Sequence, residues 1–369
     1  MIIKLNKSDW SQVGYKMGWL KTALNTEVLG VKKPKVLLIH SPQIWGITDN
    51  DLKILKTVCE LNHITPKNMS QEKLAELCKD TDHLMLNIDC IESTSNKMER
   101  LDEKFYSNKN TQSLKSLNVD MSDLDYFNPV VAKKYCKKLI FQSVPNNYGN
   151  SAVANNVSES AICEILLHAK NRHMAYKDVE NDKIIECRSG FILKQSVAGV
   201  IGYGTIGKLV TKKLEGLGMK VLVNDIKDID RENVSLERIF NEAKVISVHI
   251  STVLPNGKSN VNFINSKLLN LCKGTILINL ATDVIVNSHD VCDAINNKKI
   301  IGYSCEENYG SPKFAEKYYL PCLKKQNEFH LSPCSSGFGS DEVSLQMKSG
   351  WIQNTVSMIK GTPENIWAE

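Results

Sequence analysis

Nothing in this sequence approaches the length of an apolar membrane span, and its first residues, Met1-Ile2-Ile3-Lys4-Leu5-Asn6-Lys7, lack the apolar core of a secretory signal. Its 11 cysteines, from Cys59 to Cys334, are odd in number and never fall in C-x-x-C pairs. That argues against a disulfide framework or a zinc ribbon and reads as reduced thiols, so a cytoplasmic protein without a metal site is expected. Charge of one sign is scarce as well. The formal net charge is only +5, and the lysines are scattered in pairs such as Lys133-Lys134, Lys137-Lys138 and Lys212-Lys213. This is a solvated surface, and neither a nucleic-acid nor a membrane partner is expected. Internal repeats and low-complexity tracts are also missing.

What is present is a chain of 369 residues, 42% hydrophobic and 24% charged, longer than one core usually supports. Short apolar runs bounded by turn residues predict buried strands at Lys35–Ile39, His83–Asn87, Leu139–Phe141, Val197–Ile201, Met219–Val223, Val245–His249, Thr275–Asn279 and Ile300–Tyr303. Helical spacing predicts helices over Asp51–Glu60, Ser151–His173, Lys208–Gly218, Ser235–Ala243, Ser266–Leu271 and Ser288–Asn296. Such alternation predicts an α/β fold with a parallel, doubly wound sheet. The polar stretch Ser93–Ser113 reads as a surface excursion.

The densest signal is a glycine turn, Gly202-Tyr203-Gly204-Thr205-Ile206-Gly207, between a predicted strand and helix. The first glycine permits the tight turn, the second lets backbone approach a pyrophosphate, and the third lets helix pack on strand. Phosphates then rest on helix amides that have no intrahelical partner. Asp225 closes the following strand, where a carboxylate accepts from both ribose hydroxyls and repels a 2′-phosphate. NAD is therefore the expected cofactor, with Gly202, Tyr203, Gly204, Thr205, Ile206, Gly207, Asp225, His249 and Ala281 as its expected contacts.

From about Leu114 onward the chain resembles the D-isomer-specific 2-hydroxyacid dehydrogenases. Asn156-Val157-Ser158-Glu159 is similar to that family's V-A-E helix, Val248-His249-Ile250-Ser251 to its V-x-L-H-x-P strand, Leu277-Ile278-Asn279-Leu280-Ala281 to its L-I-N-x-A strand, and Gly361-Thr362-Pro363-Glu364-Asn365 to its last loop. The resemblance implies two Rossmann-like domains, the nucleotide-binding domain (150–334) inserted into a substrate domain (1–149 and 335–369), an active site in the cleft between them, and a homodimer.

It also implies an arginine, a glutamate and a histidine for catalysis. Here Thr282 stands at the arginine, followed by Asp283 in place of glycine; Ser311, just before Pro312, stands at the glutamate; and Cys334, after Ser332-Pro333, stands at the histidine. Glu306 falls at the family's aspartate. In the segment Leu114–Asp125, whose backbone amides hold the substrate carboxylate in the family, Met121 and Asp123 replace two glycines. An acidic side chain there disfavours an anion. The candidates for altered chemistry are Cys334, Glu306 and Thr282, with Glu307 and Tyr309 behind them; His330 reads as a structural histidine.

Two readings stay open. One is an NAD-dependent oxidoreductase acting on a non-standard small molecule or modified peptide, such as an iminium or a conjugated alkene, where the protein has little proton transfer to manage. A cationic substrate group would account for Asp123 and Asp283 together. The other is an inactive NAD(H)-binding protein with a regulatory or scaffolding role.

Overall fold

The structure, a computed structural model, describes residues 32–41, 47–66, 68–92, 101–120, 151–183, 189–252, 254, 258–307, 329–333, 337 and 339–361, with 131, 134–135 and 141–142. It is α/β, with two parallel sheets.

The first sheet begins with β1 (Lys35–Ile39), whose continuous apolar run is buried on both faces. There follow α1 (Asp49–Val58), β2 (Glu60–Ile64), α2 (Gln71–Leu77), β3 (His83–Leu86), the short α3 (Glu103–Tyr106), β4 (Ser116–Val119) and β5 (Phe141–Gln142). Their spatial order is β2-β1-β3-β4-β5, every pair parallel. A capping box in which Thr48 and Asp51 satisfy each other's backbone starts α1 two residues before the expected Asp51. Glu60, placed by the sequence in that helix, instead opens β2. This strand has the polar sequence Glu-Leu-Asn-His-Ile and lies at the sheet edge, where one face and one row of backbone groups meet solvent.

The expected surface excursion also needs correction. Within it, Leu101, Phe105 and Tyr106 are fully buried and pack with Leu84, Leu86 and Leu117. Three large apolar groups in a polar run are too few to show a period, yet they suffice to anchor it.

The second sheet is reached through α4 (Ala152–Ala169) and α5 (Arg172–Glu180). The sequence predicts one helix to His173. Asn171 instead takes the left-handed conformation (φ 47°), which asparagine tolerates, and breaks the helix in two. Then come β6 (Val197–Ile201), α6 (Thr205–Gly216), β7 (Lys220–Asn224), α7 (Leu236–Glu242), β8 (Val245–Val248), α8 (Ser266–Leu269), β9 (Thr275–Asn279), α9 (Ser288–Asn296), β10 (Ile300–Glu307) and β11 (Phe329–Pro333). The spatial order is β11-β10-β9-β8-β6-β7, again parallel throughout. Alternate strand residues feed two cores: Ile246, Val248 and Leu277 pack under α7 and α9, while Ala198, Val200 and Ile278 pack under α4 and α6.

The last described helix, α10 (Asp341–Ile359), returns to the first sheet. Trp351 buries against Val36, Leu38 and Met85 and donates its indole N–H to the Asn118 carbonyl at 3.0 Å. Asn118 Nδ2 answers with a bond to the Trp351 carbonyl at 2.9 Å. Near its start α10 touches α4, where Gln346 accepts from the Ala152 amide. Among the described residues no helix is long and apolar enough to cross a membrane. The buried thiols of Cys59 and Cys78 are pushed up to about 12 by burial, as befits small core groups.

Candidate cofactor and active site

In a parallel sheet the carboxyl ends of the strands share one edge. From β6 the chain steps outward to β7 and then crosses to β8 on the other side. The direction of winding therefore reverses between β6 and β8, and the crevice that opens there is where such sheets bind ligands. Gly202 lies on one wall and His249 on the other, joined by the His249 amide donating to the Ile201 carbonyl at 2.7 Å.

The three glycines of the turn have different causes. Gly202 has φ +93°, and a Cβ there would lie 2.3 Å from the His249 carbonyl oxygen. At Gly207 a Cβ would lie 1.9 Å from the Gly202 oxygen. Both are demanded by the protein's own packing. Gly204 is not: its φ is −75°, and a Cβ there would meet nothing within 4 Å. It is also the N-cap of α6 and, having no side chain, leaves the first amides of that helix without a side-chain cap. A bare backbone at a positive helix end, with no internal reason to be bare, fits an external phosphate group. The helix starts at Thr205, earlier than the expected Lys208, which sets its end directly on this opening.

Asp225 follows β7 and is locked in place. Its Oδ2 accepts from the Tyr203 amide at 2.6 Å and its Oδ1 from the Lys227 amide at 2.9 Å, while its own backbone pairs with the Asn233 side chain. Each carboxylate oxygen keeps a second acceptor site for a ribose hydroxyl. Cations stand close by: Lys208 Nζ and the Arg231 guanidinium lie 5.2 and 5.6 Å from the centre of the Tyr203 ring. Preference for NAD over its 2′-phosphorylated form therefore depends on one carboxylate outweighing these cations. Asp225→Ala is expected to weaken NADH binding by about 10- to 100-fold, since hydrogen bonds to a charged group contribute about 1.5–3 kcal/mol. NADPH should lose much less, so the ratio of the two affinities, measured by calorimetry, falls. Equal weakening of both would mean that Asp225 only shapes the turn.

The other expected cofactor contacts gather at the same edge. Thr205 and Ile206 form the half-buried first turn of α6, and Ala281 follows β9. His249 shares a 2.8 Å hydrogen bond with the Ser247 hydroxyl, and burial pushes its imidazole down to about 4. It is neutral at physiological pH.

Two of the candidate catalytic side chains fall on this edge too. Thr282 is buried, its carbonyl accepting from Asn279 Nδ2 at 2.8 Å, and it leads into a single turn of tighter helix over Asp283–Ile285. Asp283 is also buried. Glu306 lies inside the carboxyl end of β10, only 6% exposed, and accepts from the Ser332 hydroxyl on β11 at 3.1 Å. Tyr303 on β10 is also buried, and its hydroxyl is pushed above its usual range by that burial and by the neighbouring Cys305. Cys334, Tyr309, Ser311, Met121 and Asp123 lie outside the described residues, as does the side chain of Glu307.

The first sheet offers polar groups that sequence reasoning passed over. At its carboxyl edge Asp120, 1% exposed, accepts from Asn87 Nδ2 at 2.5 Å and from the Ile88 amide at 3.3 Å, and His40 is buried after β1. Asp120 stands within the segment aligned with the family's carboxylate-binding loop. A buried acid directly after a strand was the available signal.

Residues 162–313 match the NAD-binding domain of the D-isomer specific 2-hydroxyacid dehydrogenases. The chain is 29% identical over 171 residues to the D-lactate dehydrogenase of Escherichia coli (strain K12), covering 44% of this chain and 51% of that one. It is 35% identical over 171 residues to the glycerate dehydrogenase of Methylorubrum extorquens, covering 46% and 52%. The matches thus span about half the length of these curated relatives. Among solved structures, D-lactate dehydrogenase from Aquifex aeolicus, complexed with NAD and lactic acid, superposes with a TM-score of 0.69 at 19% identity, covering 89% of this chain and 96% of that one. An acyclic imino acid reductase in complex with NADPH and D-arginine superposes with a TM-score of 0.73 at 17% identity, covering 90% and 100%. Residues 162–313 are thus an NAD-binding domain similar to that of the D-isomer specific 2-hydroxyacid dehydrogenases, and the cofactor is NAD.

Proposed function

We propose that this chain is an NAD(H)-dependent reductase of a cationic C=N substrate, an iminium or protonated imine carried by a small molecule or a modified peptide. The observation that carries the reading is that two carboxylates, Asp283 after β9 and Glu306 at the end of β10, are each buried at the carboxyl edge that also holds Thr282, where the resemblance places an arginine. An arginine suits a substrate carboxylate; carboxylates suit a cation.

The chemistry fits the residues that are missing. NADH held at the Gly204 opening and by Asp225 would supply a hydride, and a C=N group accepting it would become an amine while the cofactor became NAD⁺. An iminium nitrogen already carries its charge or proton, so no histidine is needed at position 334. Glu306, held by Ser332, orients the cationic nitrogen, and the Thr282 hydroxyl offers a hydrogen bond near it. Cys334 is a candidate to line the same site. An acyclic imino acid reductase shares this fold. Assembly as a homodimer and the division into domains at 150 and 334 belong to this proposal.

The test is NADH oxidation by purified protein with an uncharged ketone or aldehyde alone and with the same carbonyl compound mixed with an amine. Turnover is expected only with the mixture, and Glu306→Gln should lower kcat/KM by about 10- to 100-fold through loss of a charge-assisted bond. Equal turnover of the carbonyl compound alone, or of a 2-keto acid, would overturn the proposal. Saturable NADH binding without oxidation by either would favour a regulatory, inactive NAD-binding protein.

A further inference from the structure

Away from the cofactor edge, three histidines that the sequence scatters over 163 positions meet at one point. His168 ends α4, His173 lies in the first turn of α5 and His330 is on β11. One ligand nitrogen from each lies within 4.8 Å of the others. The ring centres are 4.1 Å (His168–His330), 4.3 Å (His173–His330) and 5.3 Å (His168–His173) apart.

The local chain explains the meeting. Ser304 and His330 are register partners on β10 and β11, so both side chains leave the same face of the sheet, under α4. Glu164 and His168 are four residues apart on α4 and share the helix face above them. The left-handed corner at Asn171 then turns α5 back, which brings His173 over the other two rings.

Around the rings lies a set of hydrogen bonds that holds them in position. Glu164 Oε2 accepts from His330 Nδ1 at 2.9 Å and from the Ser304 hydroxyl at 2.7 Å. Because the Ser304 proton goes to Glu164, the 2.9 Å contact between Ser304 Oγ and His168 Nε2 is donated by the histidine. His173 Nδ1 lies 3.4 Å from the Leu167 carbonyl. A carboxylate that orients a histidine whose other nitrogen is left for coordination is the usual outer layer of a transition-metal site.

We propose that His168, His173 and His330 bind one divalent transition ion of the zinc class, with Glu164 as the residue that positions His330 directly and His168 through Ser304. Three imidazoles on one such ion put their nitrogens roughly 3.3 Å apart, from metal–nitrogen distances of about 2.1 Å. The His168 and His330 rings stack with planes 18° apart, so closing the cluster from 4.8 Å requires one of them to turn out of the stack to aim its nitrogen at the ion. His330 and Glu164 are 21% and 22% exposed, which gives the ion a path in and leaves a fourth position for water. The ion would tie the α4–α5 corner to β11, the strand that carries Ser332 beside Glu306. Its role is structural or regulatory, and it stands whether or not the reductase reading does.

The experiment is calorimetric titration of the chelator-treated full-length protein with Zn²⁺, paralleled by the absorption spectrum with Co²⁺. One ion per chain is expected, with cobalt bands of nitrogen and oxygen ligation. His330→Gln and His173→Gln should each weaken Zn²⁺ about 100-fold and Glu164→Gln about 10-fold. His173 sits on an outer helix, so its variant keeps the test decisive if His330→Gln fails to fold. Absence of saturable binding, unchanged affinity in His173→Gln, or a thiolate-to-cobalt charge-transfer band would each overturn the proposal.

Discussion

Gly204→Val is expected to give a folded protein that no longer binds NADH. The backbone at Gly204 is in an extended conformation open to any residue, and an added Cβ meets nothing within 4 Å. The cost to the fold is limited to a poorer helix cap, about 1 kcal/mol or less. The side chain would occupy the space over the first amides of α6, where a pyrophosphate has to make contact. Several charge-assisted hydrogen bonds depend on that contact, so affinity should fall by about 100-fold or more. Thermal unfolding and NADH titration on the same sample check both halves. A variant that binds NADH normally would mean that this opening is not the phosphate site.

Gly207→Ala is expected to do the reverse and strike the fold first. Its Cβ would sit 1.9 Å from the Gly202 carbonyl oxygen, a backbone atom that cannot swing aside. Relief requires α6 to move off β6, which separates Val210 and Leu214 from the core they share with Ala198 and Val200. Overpacking of this kind costs about 3 kcal/mol or more, or a fall in Tm of about 6 °C or more for a domain of this size. An unchanged Tm would show that the strand-to-helix contact is looser than the geometry indicates. The contrast between the two glycines is informative because the motif treats them alike.

That contrast also marks how far the sequence could be read. The strand, turn, helix and acid at 197–225 were legible because each demand is local: a turn needs its glycine, and an acid at a strand tip needs no distant partner. The separate causes of Gly202, Gly204 and Gly207 were not, since they depend on where the His249 carbonyl and the helix lie in space. β2 escaped because an edge strand has no apolar run to betray it. Glu306 was picked out by its alignment, but its bond to Ser332, 26 residues further on, could not be read because it depends on the pairing of β10 with β11. The three-histidine cluster was illegible for the same reason. His168, His173 and His330 come from two helices and a strand, and only the parallel register of β10 and β11 brings them together.

The central claim is that the opening at Gly204, with Asp225 beside it, holds NAD. Calorimetric titration of the full-length protein with NADH and, separately, with NADPH tests it most directly. One saturable NADH site per chain is expected, with NADPH weaker because Asp225 repels the 2′-phosphate. Failure to bind either nucleotide, or tighter binding of NADPH, would contradict it.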